Sequence, residues 1–176
     1  MRSDALLAFV PIGGNLSLVT GGANAVASTN VIDLMGVGVG VAPPNIIGNT
    51  ALFGTDMGIG GFRPEINCVL GTAFVGGTSL NVALQAAPDT AVTYQPGAWT
   101  TLAETGAMLT ANLTAGQLVA RFPWLPAFPA NLSPRYLRML FTPVGTYTAG
   151  TIASAIVTTV RDDQANKFAA ANYKVA

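Results

Sequence analysis

Twenty glycines and eleven prolines punctuate this chain from end to end, and its apolar residues come in short runs between them. A helix of ordinary length does not tolerate such punctuation, because an interior glycine costs about 1 kcal/mol and a proline about 3 kcal/mol. Short strands do, and the runs are rich in Val, Ile, Thr, Leu and aromatic residues. The clearest is "SLNVALQAA", where Leu80, Val82 and Leu84 alternate with Asn81, Ala83 and Gln85. Successive strand side chains point to opposite faces, so this alternation marks one face for burial.

The same period runs through "TIASAIVTTV", with Ile152, Ile156 and Val160 spaced for one face and Ala153, Ala155 and Val157 on its reverse. In "RYLRMLF", Leu137, Met139 and Phe141 share a face with Arg135, whereas Tyr136, Arg138 and Leu140 take the other. That phase sends the two arginines to opposite sides of the strand, so they do not form one clamp. Further strands are expected in "NLSLVT", "STNVIDL", "EINCVLGTAF", "WTTLAE" and "GQLVARF", several separated by turn chemistry such as "VGGTS" and "PVGTYTAG". About eight short antiparallel strands in one domain spanning residues 1–176 predict an all-β jelly-roll sandwich with long Gly/Pro-rich loops. Leu80, Val82, Leu84, Leu137, Met139, Phe141, Ile152 and Ile156 are expected between its two sheets. Residues 1–15 read as an N-terminal arm, 35–62 as a long glycine-rich loop and 161–176 as a C-terminal tail.

Charged residues make up 9% of the chain, against about 25% in an ordinary soluble domain. Hydrophobic residues reach 51% and the formal net charge is zero. So little charge implies a permanent partner that covers much of the surface. A membrane is not that partner on this reading, because no run of about 18 apolar residues goes uninterrupted. In the opening "MRSDALLAFVPIGG", Asp4 precedes the apolar stretch and no small-residue cleavage site follows, which speaks against a signal peptide. Eight basic and eight acidic side chains give no concentrated patch for nucleic acid.

The chemistry-bearing residues are sparse. Histidine is absent, which removes Ser-His-Asp and Cys-His catalysis and the usual zinc ligands. The single cysteine, Cys68, lies in an apolar run and reads as a small buried hydrophobe. "RDDQAN" offers a conceivable calcium corner but lacks the spaced oxygen ligands of a dedicated site. "MGVGVG" and "MGIGGF" match no phosphate-loop spacing, and no helix follows them. Trp99 and Trp124 fit a sugar-stacking platform, or equally a core or interface anchor. Neither an enzyme activity nor a cofactor is expected.

Three pieces of the sequence together resemble the capsid cement proteins of tailed phages typified by the one from a Bordetella phage. They are "STNVIDL", "VLGTAFVGGTSLNVALQAAPD" (read as a hairpin and an alternating strand) and "RYLRMLFTPVGTYTAGTIASAIVTTVRDDQANKF", in the family's order. The resemblance implies a jelly-roll decoration protein, made in the host cytoplasm, that sits on the outer capsid surface of the virion. Its implied partners are the phage major capsid protein and further copies of itself, as homodimer or homotrimer. The segment from Met35 to Phe62 is longer than the family's usual link, and "FPWLPAFPANL" is richer in proline.

The candidate interface residues are Trp124 and Phe128 in the proline-rich loop, Arg138 on the arginine strand, and Asp162, Asp163, Lys167, Phe168 and Tyr173 in the tail. Prolines lower the ordering cost of the loop on binding, and the tail gathers charges around two aromatic anchors. The rival readings are a carbohydrate-binding jelly roll of a phage or secreted protein and a non-catalytic packing subunit of an unrelated assembly.

Overall fold

Alternating apolar residues bounded by glycine turns become strands along the whole described chain. The computed structural model describes residues 7–19, 24–34, 64–90, 95–122, 132 and 134–159. Four short strands come first: β1 (Ala8–Val10), β2 (Leu16–Ser17), β3 (Val26–Ala27) and β4 (Ile32–Asp33). Two long ones follow, β5 (Pro64–Gly76) and β6 (Ser79–Thr90), then the fragments β7 (Gln95–Pro96), β8 (Thr100–Glu104) and β9 (Met108–Leu109). The last three are β10 (Leu118–Phe122), β11 (Pro134–Val144) and β12 (Tyr147–Thr159).

Many of these pieces are one strand interrupted. β1 and β2 pair successive stretches of the same strand, β12, and β3 and β4 do the same along β11. β7, β8 and β9 run along β6 at Asp89–Thr90, Ala83–Ala86 and Ser79–Leu80. Eight strand positions result, four in each of two antiparallel sheets: β1-β12-β5-β10 in the first and β3-β11-β6-β8 in the second. The chain changes sheet at every connection between positions except the one from β6 to β8, which is jelly-roll connectivity and agrees with the expectation from sequence.

At the centre lies a two-stranded ribbon. β5 and β12 pair from Pro64↔Thr159 to Gly76↔Tyr147. β6 and β11 take over at Ser79↔Val144 and continue in the same register to Ala87↔Tyr136, with a shift before the last pair, Pro88↔Pro134. Between the halves, the amides of Gly77 and Thr78 donate to the carbonyls of Thr146 and Val144, both at 2.7 Å. "VGGTS" and "PVGTYTAG" are therefore paired corners that carry the ribbon from one sheet to the other. The expected hairpin over Val69–Asp89 is corrected accordingly, since β5 and β6 lie in different sheets. Glycine is required at the corner: Gly77 has φ +58°, and a Cβ there would meet the Tyr147 ring at 2.5 Å.

The core forms between the folded halves. Leu80, Val82, Leu84, Leu137, Met139, Phe141 and Ile152 are fully buried there, with Phe9, Val10, Leu18, Ile66 and Leu70. Phe9 and Val10 belong to β1, within the segment read as an arm. Ile156 is buried too, but on the other side of its sheet. It pairs with Asn67, which lies between the core residues Ile66 and Cys68, and directly opposed residues point to the same side. A register shift between Ile152 and Ser154 resets the alternation, so Ala155 and Val157 take the inward positions. The corner end of the sandwich is closed by Phe74 and Tyr147, edge to face at 5.1 Å. The Tyr147 hydroxyl hydrogen-bonds Thr110 Oγ1 at 3.1 Å, at the start of a single 3-10 turn, Thr110–Asn112.

Two predictions follow from this packing. Gly77→Ala should cost about 2–4 kcal/mol by combining positive φ with overpacking against Tyr147. Gly106→Ala, at φ +72° with nothing within 4 Å, should cost only about 1 kcal/mol of backbone strain. Denaturant unfolding of both variants checks this, and equal losses would remove the ring contact from the account. Burial raises the Cys68 thiol from 9.0 to about 12. Above pH 9 the unfolded chain has lost that proton while the folded chain keeps it, so unfolding releases a proton. Stability from this group is complete below pH 9 and declines by about 1.4 kcal/mol per pH unit towards pH 12. Cys68→Ala should flatten that slope relative to the parent in denaturant titrations between pH 8 and 11; parallel slopes would refute it.

Candidate interface on the outer face of the second sheet

The alternation that buries Leu137 and Met139 turns Tyr136, Arg138 and Leu140 to the outer face of the second sheet. Arg135 was expected on the inner side, and the structure corrects this. Pro134 pairs with Pro88 and Tyr136 with Ala87, which leaves Arg135 at a bulge. The extra residue changes the phase of the strand, and the guanidinium reaches carboxylates on both neighbouring strands. Its Nε and Nη2 donate to the two oxygens of Asp33 on β4, each at 3.0 Å, and Nη1 donates to Asp89 Oδ2 on β6 at 2.7 Å. Asp33 follows the core residue Ile32 and pairs with Tyr136, so it faces outward. Both arginines thus belong to the outer face, three residues apart.

They meet different surroundings. The Arg135 guanidinium lies 5.1 Å from the Tyr136 ring centre and ties β4, β11 and β6 together. Hydrogen bonding to Asp33 holds its pKa above the already high arginine range; burial opposes this and Asp89 reinforces it. The Tyr136 phenol is raised, chiefly by burial, with the Arg135 charge acting in the other direction. This cluster has the character of an architectural clamp.

Arg138 has another kind of setting. Its guanidinium carbon lies 4.1 Å from the centre of the Trp99 ring, just before β8. Its Nε donates to Gln85 Oε1 on β6 at 2.9 Å. The Gln85 amide is oriented by its own Nε2, which donates to Thr101 Oγ1 on β8 at 3.2 Å. Gln85 is buried, and burial lowers the pKa of Arg138. Three cations fall among the described residues, all arginines. Arg121 is held by a bidentate pair with Glu65, both bonds at 2.8 Å, and Arg135 by two carboxylates. Arg138 has no carboxylate partner among the described residues. Glu104, on the same face, accepts from Asn81 Nδ2 at 2.9 Å.

Of the residues expected at an interface, Arg138 is the one that the structure places. Trp124, Phe128, Asp162, Asp163, Lys167, Phe168 and Tyr173 lie outside the described residues, as do the glycine-rich segment 35–62 and the acidic pair considered for calcium. Among the described residues no group of three or more His, Cys, Asp or Glu side chains is placed to hold a metal. Trp99, weighed as a sugar platform, has the Arg138 guanidinium over its ring. Sequence reasoning missed Gln85 and Trp99 as partners of Arg138, and Asp33 and Asp89 as partners of Arg135. A usable signal existed for the aspartates, because a chain with so few charges has few places for an isolated one.

The contrast between the two arginines is measurable. Asp33→Asn removes the bidentate partner of a charge held between three strands, and should lower the thermal midpoint by on the order of 5 °C. Arg138→Met removes a charge with no carboxylate partner among the described residues and should lower it by much less. Circular dichroism melts of the two variants check the order, and an equal or reversed effect would refute it.

A family model described as Bbp16 matches residues 18–157, which takes in the second sheet and the whole of the bent ribbon except its outermost residues. No curated protein matches the chain.

Proposed function

The chain belongs to the Bbp16 family, a Bordetella phage protein family, and on that footing we propose that it is a capsid cement protein. It binds the outside of the phage head and braces the lattice of the major capsid protein, with no catalytic step and no cofactor. The family match over residues 18–157 carries this reading. The jelly roll supports it by offering four sheet edges, two outer faces and several loops for lateral contact. So does the surface: Ile12, Val75 and Leu109 are each more than half exposed, in a chain with little charge to keep such a surface in water. The sugar-binding alternative is less favoured, because the Trp99 ring is covered by a guanidinium on one face. The partners are the major capsid protein and further copies of this chain, and the location is the outer surface of the virion.

Quantitative protein analysis of purified particles tests the proposal. The chain should be present in a fixed ratio to the major capsid protein. Heads assembled without it should release their contents at a lower temperature, with protection restored when the purified protein is added back. Its absence from purified particles, or heads equally heat-resistant without it, would overturn the reading.

A further inference from the structure

Arg138 is the one cation among the described residues without a carboxylate. Taking a charge even partly out of water is costly unless something compensates it, and here the surroundings orient the guanidinium without neutralising it. The Trp99 ring occupies one of its faces. Gln85 takes the Nε–H and is itself fixed by Thr101. A guanidinium can stack through its face and still donate in its own plane. The in-plane edge that remains carries the two Nη groups, which have no acceptor among the described residues. Two parallel N–H donors in one plane are the complement of a carboxylate.

We infer that Arg138, stacked on Trp99 and steered by Gln85, is a receptor for a carboxylate side chain of a neighbouring protein subunit. The inference rests on the cement reading for the identity of that neighbour and adds the chemistry of the contact. Charge complementarity selects the occupant. Asp33 and Asp89 are bonded to Arg135 and Glu104 to Asn81, and among the described residues no carboxylate is bonded to Arg138, so an incoming Asp or Glu would give its two Nη groups an acceptor of opposite charge. Lysine in its place would keep the charge but lose both the flat stack and the paired donors.

Two measurements test this. In the free protein, the Arg138 Nε–H resonance is followed while N-acetyl-glutamate amide is added, with N-acetyl-glutamine amide as the neutral control. A saturable shift with the acid alone is expected; no shift, or the same shift with both, would overturn the proposal. On undecorated heads, Arg138→Gln and Arg138→Met should bind at least tenfold more weakly than the parent, and Arg138→Lys should not restore binding. Melting curves confirm that each variant is folded, and wild-type affinity in a folded Arg138→Gln or Arg138→Met protein would also overturn it. If the parent itself fails to bind heads, the cement reading falls, while the resonance titration still decides whether Arg138 receives a carboxylate.

Discussion

An antiparallel ribbon that keeps one register round a corner is the constraint on which the rest of this molecule depends. β5 and β6 run against β12 and β11 without a slip between the two halves, so folding the ribbon sets the two sheets face to face. The register then decides which residues are enclosed. A slip of one position would turn Leu80, Val82 and Leu84 outward and bring Asn81, Ala83 and Gln85 in. The corner is where the backbone is most demanding, and glycines at positive φ meet that demand on both strands, Gly76 and Gly77 on one and Gly145 on the other. Tyr147 and Phe74 fill the space beneath it, so the turn that redirects the chain also closes the end of the core.

Two departures from the regular ladder decide which side chains face which way. The bulge at Arg135 brings a guanidinium to the face that carries Tyr136 and within reach of Asp33 and Asp89. The shift after Ile152 exchanges the inward roles of Ile156 and Ala155. Each re-aims the side chains next to it, as bulges commonly do. One yields a clamp across three strands. The other leaves a bulky, buried Ile156 on the outer side of the first sheet, where simple alternation would have placed it inside.

Much of the fold was legible in the sequence because period two, glycine punctuation and the scarcity of charge all point the same way. The alternation in "SLNVALQAA" and "RYLRMLF" identified six core residues, all fully buried. What was not legible depends on register. No local pattern distinguishes a hairpin turn from a corner at "VGGTS", because both require glycine at positive φ and differ only in which strand lies alongside. Nor does alternation announce its own interruption, which is why Arg135 and Ile156 were assigned to the wrong sides. The site was less legible still. Arg138 stood out as a charge in an apolar run, but its partners come from β6 and the approach to β8, 53 and 39 positions away in sequence.

The two arginines of this strand show how a charge-poor protein divides electrostatic labour. Arg135 is satisfied within the chain and holds strands together whether or not a partner is present. Arg138 is oriented by Trp99 and Gln85 with no carboxylate partner among the described residues, and on the inference above its two Nη groups find their acceptor when a second molecule supplies the anion. On a surface with little charge, burial of apolar area provides adhesion but little direction, since apolar contact tolerates many orientations. A single directional pair surrounded by apolar contact fixes the angle and register of docking. For a protein proposed to repeat over a regular lattice, that selectivity matters more than the strength of any one contact, because each copy must seat in the same way for the next to fit.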